Sequence, residues 1–183
     1  MRGRAPFPPA LVQCGRRVDK AGAGVQRAAR VTQATSIQVH ATCVAIDGAG
    51  ILLRGPSGAG KSDLALRLVD GGAALVADDR VDLRRRGTCL VASPPAPLRG
   101  LVEARGVGIL RLPFLDAAEL RLVVDLVARD EVERLPGPES EAVLGIVLPR
   151  LRLHGFDASA PAKLALALRH GVAIPAASGR SAA

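Results

Sequence analysis

Gly55-Pro56-Ser57-Gly58-Ala59-Gly60-Lys61-Ser62 satisfies G-x-x-x-x-G-K-S at every fixed position, and no other stretch restricts the fold as much. Such a loop works only between a strand and a helix. Glycines let backbone N–H groups curl around a phosphate, and the helix N-terminus adds partial positive charge. The lysine neutralises phosphate oxygens and the serine hydroxyl is placed for Mg²⁺. Both flanks fit. Gly50-Ile51-Leu52-Leu53-Arg54 is an apolar strand, and Lys61–Asp70 has helical spacing, with Leu64, Leu66, Leu68 and Val69 apolar and Gly71-Gly72 to end it. Lysine occurs only at positions 20, 61 and 163, so chance is a poor explanation of the match.

The rest of the chain reads as one strand-rich α/β domain with few helices. Residues 37–46 read as a single strand, turned by Asp47-Gly48 into the strand that feeds the loop. Ala73–Ala77 is a buried strand ending at Asp78-Asp79. Val81–Leu83 and Thr88–Ala92 flank a basic turn, and the Pro-rich 93–97 is a loop. Leu98–Leu112 is a charged segment running through glycines into β-formers. Glu119–Val127 and Val143–Leu153 read as strands, with the charged, Pro/Gly-rich 129–141 between them as a loop. Ser159 as N-cap and Pro161 in the first turn open a last helix that stops at Gly171.

The formal charge of +8 would by itself suggest nucleic acid or an anionic membrane surface. Its location removes that suggestion. Residues 1–36 carry seven Arg and Lys against Asp19 alone, Arg180 sits in the tail, and the stretch 37–171 is close to neutral. We read 1–36 as a disordered basic arm, or as sequence from a start codon placed too far upstream, 37–171 as the working domain and 172–183 as a tail. With three Phe, no Trp and no Tyr, a stacking platform for single-stranded nucleic acid is not expected. Cys14, Cys43 and Cys89 form no CxxC, which favours a reducing cytoplasm. Pro8 and Pro9 break the only apolar stretch of the N-terminus, so neither an export signal nor a membrane span is expected.

A phosphate loop needs a carboxylate near the end of a neighbouring strand. Asp78-Asp79 fills that place and can divide labour, one carboxylate on metal or water and the other as base. His40 is expected on the strand that pairs with the one feeding the loop, as a structural imidazole or as a group that tunes a carboxylate. Glu103, ahead of Gly106 and Gly108, is a candidate metal ligand on a flexible turn.

His40, the loop 55–62, Val76-Ala77-Asp78-Asp79 and Glu103-Ala104-Arg105-Gly106-Val107-Gly108-Ile109, in that order, resemble the catalytic domain of HPr kinase/phosphorylase over roughly residues 37–170. The resemblance implies an HPr kinase C-terminal-domain-like fold. It also implies an ATP- and Mg²⁺-dependent serine kinase acting on the phosphocarrier HPr or an HPr-like carrier in sugar-transport regulation. Asp79 would be the proton acceptor, and the donor in reverse phosphorolysis. His40 would modulate it and Lys61 would stabilise the transferred phosphoryl group. Ser62 and Glu103 would ligate Mg²⁺, and Arg134 would be the family's catalytic arginine. A homo-oligomer, a hexamer in full-length members, is implied too. The chain departs from the pattern in having only 36 residues ahead of the core. The dephosphorylation segment also differs, since Pro149–Asp157 keeps Arg150 and Arg152 but lacks the second Pro-Gly-Arg. The residues themselves leave open a P-loop kinase for a small-molecule hydroxyl and a nucleotide sensor without turnover.

Overall fold

Asp47 and Gly48 both adopt positive φ, 51° and 81°, the backbone of a type I′ turn, which matches the right-handed twist of the strands it joins. It connects β2 (Thr42–Ile46) to β3 (Ala49–Arg54) as an antiparallel hairpin. This is a computed structural model and it describes residues 35–171; the basic arm, but for Thr35 and Ser36, and the C-terminal tail lie outside the described residues. After β3 come α1 (Lys61–Asp70), β4 (Ala74–Ala77), β5 (Arg80–Arg86) and β6 (Cys89–Ser93). A separate hairpin, β7 (Leu101–Ala104) and β8 (Gly108–Arg111), precedes β9 (Ala118–Leu126). The chain closes with β10 (Glu139–Val143), β11 (Ile146–Leu153) and α2 (Ala160–His170).

The main sheet runs β1-β5-β6-β9-β3-β2-β4, where β1 is Ser36–His40, and β11 joins β9 on the edge opposite β3, bringing β10 with it. β3, β9 and β11 are parallel, and β4 shares their direction because β2 is antiparallel to both β3 and β4. The carboxyl ends of β11, β9, β3 and β4 therefore lie along one rim, where open α/β sheets bind ligands. Two residues join β4 to β5, although the two strands stand near opposite ends of the sheet order. The sheet must curl to allow this, and a bond from Ala41 N to Asp79 O at 3.2 Å ties its ends. Leu52, Leu83, Leu90 and Leu120 fill the inside of the curl. Leu64 and Leu68 of α1 and Leu164 of α2 pack on the outside against Ile51, Leu53 and Val124. These side chains are essentially fully buried, each contributing about 1.5–3 kcal/mol of transfer free energy.

Five expectations need correction. The strand read over 37–46 is two strands, because Ala41 turns away to bond Asp79; β1 pairs with β5 and only β2 pairs with β3. His40 is therefore not on the strand beside β3 but at the end of β1, opposite Arg80. The loop read over 129–141 contains a 3-10 turn (Arg129–Glu131) and the first part of β10, whose Glu139 and Glu141 face Arg150 and Leu148 of β11. Ser159 precedes α2 but makes no side-chain cap. The working segment begins slightly earlier than position 37: Ser36 is in β1 and Thr35 O accepts from Arg85 N at 2.9 Å.

Candidate active site

The loop leaves β3 at Arg54 and enters α1 at Lys61. Gly55 and Gly60 are required there. Both have positive φ, 147° and 89°, and a Cβ on Gly55 would lie 2.8 Å from the Leu126 carbonyl. Lys61 is buried, and its Nζ donates to the carbonyls of Gly55 (2.8 Å) and Pro56 (3.0 Å), which holds the loop arched.

Asp78 and Asp79, adjacent in sequence, face opposite surroundings. Asp78 is buried, and its Oδ1 accepts from both Thr42 Oγ1 (2.7 Å) and Ser62 Oγ (2.9 Å). Asp79 sits at φ 67° in the centre of a three-residue turn closed by Arg80 N to Asp78 O at 2.8 Å. A γ-turn of positive φ is rare and strained, and strain of this kind concentrates at functional sites. Here it reverses the direction of the chain between the two carboxylates. Asp79 Oδ1 lies 3.2 Å from His40 Nδ1, and more than half of each side chain is exposed. The β7–β8 hairpin supplies Glu103 and Arg105 to the facing wall.

A cleft of about 420 Å³ thus collects His40, Lys61, Ser62, Asp79 and Glu103 with Ser57, Gly58 and Gly60 of the loop. Arg134 is not brought there; it stands exposed between the 3-10 turn and β10. Thr42, Phe156 and Asp125 were not singled out by the sequence. Thr42 and Phe156 line the cleft. Asp125 lies behind it, accepting from Arg54 Nε (2.7 Å) and Arg150 Nε (2.6 Å), while Arg54 also bonds Glu141 at 3.1 Å. Burial pushes the Asp125 carboxyl up, but Arg54 and Arg150 outweigh it and hold the group below the usual carboxylate range. An Asp within the otherwise apolar run Leu122–Val127 was the available signal.

The HPr Serine kinase C-terminal domain model matches residues 31–154. The chain belongs to that family. HPr kinase/phosphorylase of Azoarcus sp. (strain BH72) is 40% identical over 133 residues, 66% of this chain and 42% of that protein. The protein of the same name from Peptoclostridium acidaminophilum is 47% identical over 102 residues, 54% of this chain and 33% of that protein. The chain spans less than half the length of these curated relatives. The structure of the Hpr(Ser) kinase/phosphatase from Coxiella burnetii matches with a TM-score of 0.66 at 28% identity, covering 73% of this chain and 94% of that one. The strand-rich α/β fold expected from the sequence is thereby that of a solved HPr kinase family member. No helix among the described residues is long and apolar enough to cross a membrane.

Proposed function

We propose that this HPr kinase family member transfers the γ-phosphoryl group of ATP to a serine hydroxyl of HPr or an HPr-like carrier in the cytoplasm. The observation that carries the reading is the divided pair beside a complete phosphate loop. Asp78 is committed to Ser62, while Asp79 projects into the cleft next to His40. A nucleotide sensor needs the first carboxylate but has no use for the second.

The loop N–H groups and Lys61 bind the phosphates. The exposed Asp79 carboxylate accepts the serine proton as the hydroxyl oxygen attacks phosphorus, the bond to the β–γ bridging oxygen breaks, and ADP leaves. His40 holds Asp79 in position through Oδ1, 3.2 Å from its Nδ1. In the reverse direction the protonated Asp79 returns its proton to the serine oxygen as inorganic phosphate attacks. Magnesium fits the donor set. Ser62 and Asp78 offer hard oxygens 2.9 Å apart, with Glu103 across the cleft. No three His, Cys, Asp or Glu among the described residues form a metal cluster on their own, and Mg²⁺ commonly completes its shell with phosphate oxygens and water. Bound there, it would neutralise phosphate charge. Arg134 can take its catalytic part only if it reaches a cleft from which it is displaced here, for instance that of a second copy in a homo-oligomer.

Incubation with γ-labelled ATP, Mg²⁺ and either HPr or a panel of small hydroxyl compounds tests the proposal. Label is expected on a carrier serine and on none of the small compounds. Label on a small compound alone, or ATP binding without transfer, would overturn it. Adding phosphate to the labelled carrier tests reversal, with release of pyrophosphate as the expected product. Arg150 and Arg152 bear on that reaction, and both are engaged internally, to Asp125 and Glu139.

A further inference from the structure

We propose that Phe156 is the platform on which the aromatic base of the nucleotide stacks. This rests on the ATP reading above and assigns a subsite within the same cleft. The sheet order sets the direction. β3 and its phosphate loop lie between β4, two strands to one side, and β11, two strands to the other. Asp79 follows β4, so the phosphoryl group to be transferred must point toward that side. The ribose and base then extend toward the segment that follows β11, and Phe156 stands there. Its ring lies against Gly60, where an added Cβ would meet it at 3.1 Å, and it lines the cleft with 54% of the residue exposed.

Such exposure of a large aromatic is out of character for a chain with three Phe and no other aromatic beyond histidine. It is also not a loose loop residue. Arg67 of α1 donates through its two terminal nitrogens to the carbonyls of Asp157 (3.0 Å) and Gly155. Asp157 N closes the turn on His154 O at 3.1 Å, and Arg129 pairs with Asp157 at 2.6 Å. A Cβ on Gly155 would collide with the Ala59 carbonyl, so this turn is seated directly on the phosphate loop. The His154 ring meets Phe156 edge-on at 5.7 Å and itself lies 3.2 Å from the Val127 carbonyl, so Phe156 is held by a neighbour that is anchored in turn. A flat, rigid, solvent-facing ring beside a phosphate cradle suits a nucleobase, since stacking uses the π-face every base possesses.

The test separates base from phosphate. Binding of ATP and of inorganic tripolyphosphate is measured on wild type, Phe156→Ala and Phe156→Trp, all in the full chain without carrier. Phe156→Ala is expected to weaken ATP by roughly tenfold, the weight of one base–aromatic stack, and to change tripolyphosphate less than twofold. Because the chain has no Trp of its own, Phe156→Trp gives a single emitter, expected to be quenched by ATP and not by tripolyphosphate. Equal weakening of both ligands, equal quenching by both, or no response to ATP in either variant would overturn the platform. Failure of the kinase reading looks different: ATP would then bind wild type and quench the Phe156→Trp variant as described, and the carrier would still stay unlabelled.

Discussion

On one side of β3, Asp79 and His40 meet at 3.2 Å with 63% and 56% of their side chains exposed; on the other, Asp125 grips Arg54 and Arg150 with only 15% of its side chain exposed. Both set a carboxylate beside a basic side chain at the rim of one sheet, and they are built for opposite ends. In the proposed transfer Asp79 exchanges a proton with an incoming hydroxyl and so has to stay reachable, and its pairing energy is correspondingly small. A group that holds the strand ends under the phosphate loop gains from burial and from two guanidinium partners. Arg54 is the residue immediately before Gly55, so the Asp125 pair braces the loop from behind.

Changes on the exposed side should affect turnover and leave stability alone, with the reverse on the buried side. Apart from loss of the base at Asp79, Lys61→Met is expected to have the largest effect, lowering transfer by about two to three orders of magnitude through lost phosphate charge stabilisation; steady-state rates at saturating carrier would show it. Asp125→Asn is expected to cost about 2–3 kcal/mol, somewhat under the ~3–5 of a fully buried broken pair, because the partners are partly solvated. Thermal melting should register that as a fall of roughly 5–10 °C.

The sign of the acid response follows from the lowered Asp125 pKa. A carboxyl depressed in the folded state adds stability in full above its unfolded value, near 3.9, and loses it as pH falls through the folded value. The stability gap between wild type and Asp125→Asn should therefore be constant from pH 7 to about 5 and close progressively in more acidic solution. A gap that stays open at the lowest pH would mean the brace is not the source of the difference. His40→Gln should have the smallest effect, on the order of two- to fivefold in rate with an unchanged melting temperature. If it instead matched Lys61→Met, His40 would have a direct part in the chemistry.

What the sequence disclosed and what it withheld divide along the range of the interactions involved. The loop between β3 and α1, the Asp47-Gly48 turn, helix 61–70 and the place of Asp78-Asp79 after β4 depend on neighbours within a few positions, and their positions read correctly. The break at Ala41 did not, because it depends on a bond to Asp79, far along the chain, while the β-branched run continues past it. β10 was hidden for the same reason: Glu139 and Glu141 look like a solvated loop until Arg150 and Arg54 are placed across from them. Asp125 needed the register Arg54↔Asp125 to become visible as a brace. Within the site, the pattern of residues left open which of Asp78 and Asp79 faces the cleft; the burial of Asp78 on Thr42 and Ser62 and the exposure of Asp79 show it.

The most direct test of the account is the single-turnover rate of phosphoryl transfer from bound ATP to a carrier serine in wild type and Asp79→Asn, with ATP affinity and melting temperature measured on the same samples. A general base contributes about 10²–10⁴-fold, so the rate is expected to fall by that amount while affinity and melting temperature stay within error of wild type. Transfer at the wild-type rate in Asp79→Asn would contradict the assignment of Asp79 and, with it, the reading of the exposed pair as the reacting side of the cleft.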